Sequence, residues 1–167
     1  FGERVVDVGL GNRTPWERKH RAALATWYGK AGYYREYAPY MDEFYSRKWE
    51  RLCPLADENL RFFLDAFGVS TPVVKTSELG AFPDEPNERL AEIVRRLGGD
   101  TYLAGGGFAG YYRPEPFEKA NIRVVEQKYE PQEYTQLFGP FIPGLSSIDL
   151  LFNCGNESLA VIRRGRR

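Results

Sequence analysis

The chain has 167 residues, 43% hydrophobic and 28% charged, the length and balance of one ordinary globular domain that needs no disulfide staples. Lys plus Arg equals Asp plus Glu at 23 each, so no net charge draws it to nucleic acid or anionic lipid. Two cysteines and one histidine supply neither a disulfide framework nor an all-Cys/His zinc site within one chain.

Residues 3–10 carry a β-branched run, Val5, Val6 and Val8, that predicts a short strand, with a turn at Gly11, Asn12 and Arg13. Thr14-Pro15-Trp16-Glu17 has the residues of a helix start, with Thr14 as cap and Pro15 in first position, and the helix should run to about Lys30. A second helix is expected over 37–52. A third begins near Pro54, where Ala56, Leu60, Phe63, Leu64 and Phe67 make a helical stripe closed by Gly68.

The second half alternates. Strands are expected over 71–75, 101–104 and 122–127. Helices are expected over 84–97, closed by Gly98-Gly99, and over 114–119, with a last helical stretch from Ser146 that continues or restarts over 156–162. Strand–helix alternation at this spacing implies a parallel sheet with crossover helices. The expected fold is α/β: a helical N-terminal half packed on a small, mostly parallel sheet. The layout is one domain over 1–167, helical at 14–68, α/β at 70–155 and a basic tail at 156–167. No run of roughly 18 apolar residues offers a membrane span, and Arg4 and Asp7 break any leader-like stretch. A cytoplasmic protein is expected. The opening on Phe1 points to a fragment or a processed product.

Several residues carry chemistry. His20, beside Lys19 on the first helix, is the side chain type that titrates near neutral pH, which suits a general base or an anion ligand; a helix histidine with one structural hydrogen bond is the alternative. Ser77-Glu78 follows an expected strand end, where parallel sheets bind ligands, although turn chemistry also explains the pair. Gly105-Gly106-Gly107 exposes backbone N–H groups at another strand end; it lacks the Lys-Ser/Thr of a phosphate loop, and a packing role is equally open. Tyr33, Tyr34, Tyr37 and Tyr40 form a patch suited to stacking or to helix packing. Asp149, early in the last helix, also answers the helix dipole. The arginines of 163–167 read as a solvated terminus.

These pieces, in order, are Trp16-x-x-Lys19-His20, Tyr37-Ala38-Pro39-Tyr40, Ser77-Glu78-Leu79, Glu88-Arg89-Leu90, the strand and loop of 101–107, Pro131-x-x-Tyr134-x-Gln136, and Phe141-Ile142-Pro143-Gly144-Leu145-Ser146-Ser147-Ile148-Asp149-Leu150-Leu151-Phe152-Asn153-x-Gly155. Together they resemble the WbqC-like protein family of bacteria, over residues 5–155. The resemblance implies an enzyme of the transferase or ligase kind, linked to lipopolysaccharide O-antigen, other surface-glycan or specialised-metabolite biosynthesis, that passes an acyl or aminoacyl group to an amine or amino-sugar. It implies His20 and Glu78 as catalytic bases. Lys19 and Arg89 would hold carboxylate or phosphate, and Gly105, Gly106 and Gly107 would donate N–H groups to an anion. Ser77, Tyr134, Gln136 and Asp149 would complete the substrate site. No metal is assigned, and no cofactor is identified.

Family members normally begin with a further N-terminal region that looks like the start of a HUP-type or Rossmann-like α/β fold. Its segment is absent here, so a truncated chain, or a partner chain that supplies the segment, is expected. The expected partner is otherwise a small-molecule substrate, with neither membrane nor nucleic acid involved. Two further readings stand beside the enzyme. One is a non-catalytic module that binds a nucleotide-sugar or amino acid. The other is an assembly subunit, which requires an exposed apolar patch over 33–45.

Overall fold

The computed structural model of the chain describes residues 3–11 and 13–166; Asn12 of the expected turn and Arg167 of the basic terminus lie outside them. Its elements in chain order are α1 (Trp16–Tyr28), α2 (Tyr34–Ser46), α3 (Leu52–Ala66), α4 (Pro86–Arg96), β1 (Thr101–Ala104), α5 (Glu115–Lys119), β2 (Arg123–Glu126), α6 (Ser147–Cys154) and α7 (Ser158–Arg164). They fall into two compact units. The first takes the chain up to Thr71 and then Pro131–Gly165, and the second takes Pro72–Glu130. The class is α/β, mainly helical with a small parallel sheet. No helix among the described residues is long and apolar enough to cross a membrane.

The first unit is built from α1–α3, α6 and α7. α6 is apolar nearly all round, and its Leu150, Leu151 and Phe152 are buried, which makes it the central helix. Tyr28 and Tyr34 each meet the Phe152 ring edge-on at 5.3 Å, and Tyr40 stacks on Phe62 at 3.6 Å. The tyrosine patch is therefore packing: Tyr33, Tyr34, Tyr37 and Tyr40 are half-buried, and the exposed apolar face that a docking helix needs over 33–45 is not found there. Pro54 falls in the first turn of α3, where its missing N–H has no helical partner to lose. Gly68 (φ +66°) closes α3 as expected. The Gly68 N–H donates to Asp65 O at 2.9 Å and the Val69 N–H to Leu64 O at 2.8 Å, the two bonds of a Schellman end.

In the second unit β1 and β2 pair in parallel, from Thr101 opposite Arg123 to Ala104 opposite Glu126. A parallel pair cannot close with a hairpin, and the crossover carries α5. Ala91, Ala104, Phe108, Phe117 and Ile122 form the core beneath the strands. α4 is capped by the Glu85 carboxylate, which accepts the Glu88 N–H at 2.7 Å, with Pro86 in first position. It ends at Gly98 (φ +70°) through the same pair of reverse bonds as α3.

Two expected strands are absent. Val5–Asp7 is a 3-10 turn closed by an Arg4–Asp7 ion pair at 2.8 Å. Only Gly9 makes a β-bridge, antiparallel to Arg51. Residues 71–75 join no strand among the described residues. Both stretches have β-branched composition, but a strand exists only where a partner offers a ladder, so the sheet has two strands and not three. Thr14 also misses its expected role. Pro15 occupies the cap position of α1, and no side chain caps that helix.

Candidate functional site

Asp149 is the most connected polar residue of the first unit. It lies in the first turn of α6 and is only 5% exposed, and a buried carboxylate persists only with hydrogen-bond partners. Its Oδ2 accepts from the Tyr134 hydroxyl at 2.6 Å and from Gln136 Nε2 at 3.3 Å. The charge of the same carboxylate acts on the Tyr28 hydroxyl. Gln136 is fixed from both ends of its amide: Nε2 donates to Ile142 O at 2.9 Å, and Oε1 accepts the Ile142 N–H at 2.8 Å. The segment 134–142 is thus locked onto α6 by the residues that read as polar candidates in sequence.

The electrostatics follow from burial. Desolvation, then the charge and hydrogen bond of Asp149, push the Tyr28 hydroxyl up to about 12. Burial first and the Asp149 bond second raise Tyr134 further. The Cys154 thiol is raised by burial and then by Asp149. Both phenols therefore stay protonated and donate at neutral pH. An ionised carboxylate offers roughly four acceptor positions, and Tyr134 and Gln136 both bond Oδ2.

The carboxylate lies at a cavity of about 320 Å³ whose walls all belong to the first unit: Ala23, Leu24, Trp27 and Tyr28 from α1, then Gln136, Leu137, Phe138, Ile142, Leu145 and Asp149. The walls are aliphatic and aromatic, and none of them is basic. Trp27 and Phe138 meet edge-on at 6.2 Å and are 61% and 59% exposed, and Ile142 is 54% exposed. An apolar cavity with a few convergent polar groups is the ordinary form of a small-molecule site.

The candidates divide between the units. Tyr134, Gln136 and Asp149 come together, and Gln136 and Asp149 line this cavity. Lys19 and His20 are exposed on α1 and do not line it; His20 lies one turn before Leu24 and packs its ring edge-on against Trp16 at 5.5 Å and Tyr45 at 5.9 Å. The remaining candidates are in the second unit. Ser77 and Glu78 form an exposed 3-10 turn. Arg89 donates from Nε to Pro83 O at 3.0 Å and from Nη2 to Asp84 O at 2.9 Å, which ties down the loop before α4. Gly105, Gly106 and Gly107 are exposed, and Gly107 takes φ +91°; this loop turns Phe108 into the core.

Sequence reasoning missed the apolar wall. Its signal was present: Ala23, Leu24, Trp27 and Tyr28 follow helical spacing along the C-terminal half of α1. It also missed Asn87, 2% exposed, which donates to Glu85 Oε1 and Tyr111 O and accepts the Arg113 N–H. Among the described residues, no group of three or more His, Cys, Asp or Glu is placed to hold a metal ion.

A family model described as the WbqC-like protein family matches residues 2–161 of the chain. The chain is also similar to an uncharacterized protein of Mycobacterium tuberculosis, Rv1507c, with 28% identity over 169 aligned positions that cover 100% of this chain and 72% of that protein. No solved structure matches it.

Proposed function

The chain belongs to the WbqC-like protein family, and from that premise we propose that its first unit binds a small amine and transfers an acyl or aminoacyl group to it, in surface-glycan or specialised-metabolite biosynthesis. One observation carries the reading. A carboxylate that is 5% exposed stands at a cavity with no basic residue in its walls, so the charge complement it lacks is a cation. A substrate ammonium supplies both the missing charge and N–H donors for the carboxylate's remaining acceptor capacity.

The cavity also favours the step that follows. Removal from water lowers the pKa of an ammonium, so its first proton passes to solvent at the open mouth of the cavity and the free amine is left. That amine attacks the carbonyl carbon of an activated acyl donor and a C–N bond forms. The bond to the leaving group then breaks and its electron pair departs with that group. The nitrogen becomes acidic once it has attacked, and its proton passes to the Asp149 carboxylate, held in place by Tyr28, Tyr134 and Gln136. This reading draws on the first unit alone.

The test is a thermal-unfolding screen of amines against the whole chain, beside Asp149→Asn and His20→Ala, followed by mass detection of amide product with acyl and aminoacyl thioesters as donors. A ligand at 100 times its Kd adds about 2.7 kcal/mol. The expected result is a Tm rise with one amine class and amide product from it, both lost in Asp149→Asn and both kept in His20→Ala. A panel in which no amine raises Tm overturns the reading. Binding without product leaves the recognition module.

A further inference from the structure

We infer that the amine taken by this cavity has an aliphatic or aromatic body, as in an arylalkylamine, and not the polyhydroxylated ring of an amino-sugar. The inference rests on the amine-binding reading above and narrows its substrate class.

Three observations carry it. The first is the wall. Ala23, Leu24, Trp27, Leu137, Phe138, Ile142 and Leu145 offer no side-chain polar atom to a ligand except the indole N–H of Trp27. A sugar here would turn several hydroxyls toward hydrocarbon, and each hydroxyl taken from water without a partner weakens binding. The second is that the polar groups are already engaged. Both ends of the Gln136 amide are bonded to Ile142, and the Tyr134 hydroxyl donates to Asp149. What is left to a ligand is the acceptor capacity of one carboxylate, which matches one charged donor group and not a ring of hydroxyls. The third is the mouth. Trp27, Phe138 and Ile142 are each more than half exposed, and Leu145 is 45% exposed. This collects four of the molecule's exposed large apolar side chains around one opening, an arrangement that marks an apolar ligand or partner site. Rings at the mouth suit the body of an arylalkylamine and also face its cation favourably. The volume of about 320 Å³ is at the small end of ligand sites, which run from roughly 300 to 1,000 Å³, so the enclosed part of the ligand is a single small body.

Calorimetric titration of the full chain with three probes tests this: 2-phenylethylamine, its uncharged counterpart 2-phenylethanol, and glucosamine. The expected result is 2-phenylethylamine bound at least tenfold more tightly than either of the others, and at least tenfold more weakly by Trp27→Ala. Trp27 is mostly exposed, so its truncation leaves the fold intact, and 2-phenylethanol tests the charge requirement without any change in the protein. Glucosamine binding as tightly as 2-phenylethylamine overturns the apolar class and leaves the amine reading standing. 2-Phenylethanol binding as tightly as 2-phenylethylamine overturns the role of Asp149 as a cation site. Failure of both amines to bind overturns both readings together.

Discussion

The polar candidates of the two units are used in opposite directions. In the first, the polar groups turn inward: Tyr28, Tyr134 and Gln136 converge on buried Asp149 beside a cavity. In the second they serve the unit's own loops. Arg89 and Arg96 hold the carbonyls of Pro83, Asp84 and Leu79, Arg96 also lies over the Phe82 ring at 4.4 Å, and Arg95 and Arg96 pair with Glu92. A polar residue that shapes a loop is bonded to backbone nearby. One that is held by other side chains at a cavity wall keeps an acceptor for something else, and that separates the residues around Asp149 from the other candidates.

The sharpest way to break this comparison is to empty the core of the second unit. Phe117 is 1% exposed, and Phe117→Ala should cost about 4 kcal/mol. In so small a unit this is enough to unfold it. Amide hydrogen exchange should then show protection lost over 86–126 and retained in α2, α3 and α6; simultaneous loss in both would mean that the units do not fold separately. Next comes Gly155, which ends α6 at φ +53°. A Cβ there would enter the Tyr33 ring, so Gly155→Ala should cost about 3 kcal/mol by urea denaturation, and the cost should shrink in a Tyr33→Ala background. Asn87→Ala should cost about 2 kcal/mol, because it strands the Tyr111 carbonyl and the Arg113 N–H.

The pH effects are smaller. An unfolded tyrosine ionises near 10, whereas folded Tyr28 and Tyr40 hold their protons to about 12. With folded values raised, stability is unchanged below about pH 10 and falls as pH rises toward 12. Tyr28→Phe should make the alkaline limb of a Tm-versus-pH curve shallower. The smallest effect belongs to Glu92, held down to about 2 by Arg95 and Arg96. A lowered folded value gives stability that is present above the unfolded carboxylate range near 4.3 and lost as pH falls toward 2. Its partner Arg95 is exposed, so ~1 M salt should weaken this acid limb.

Much of this arrangement was legible in the sequence. The stripe of α3, the glycine ends of α3 and α4, and the pair β1 and β2 follow from periodicity and turn chemistry, because those signals are local. The strands expected at 3–10 and 71–75 failed for the converse reason: Val5, Val6, Val73 and Val74 state a local preference, and a ladder needs a distant partner. Tyr134, Gln136 and Asp149 came through resemblance, and the structure brings them together. The wall that gives them a ligand class did not, since Trp27 and Phe138 meet from segments more than a hundred residues apart. Gly155 stood in the most specific sequence block without a stated role, and its close approach to Tyr33 supplies one.

All three tryptophans, Trp16, Trp27 and Trp49, fall before Thr71 and so in the first unit. The chain thus carries its own optical label on one unit. Indole emission follows the first unit's unfolding and is blind to the second, while far-ultraviolet dichroism sums over both. Trp49 is buried and its indole N–H donates to Phe44 O at 3.0 Å, so its emission should respond to loss of the core. Trp27 stands at the cavity mouth, so its emission should respond to whatever enters.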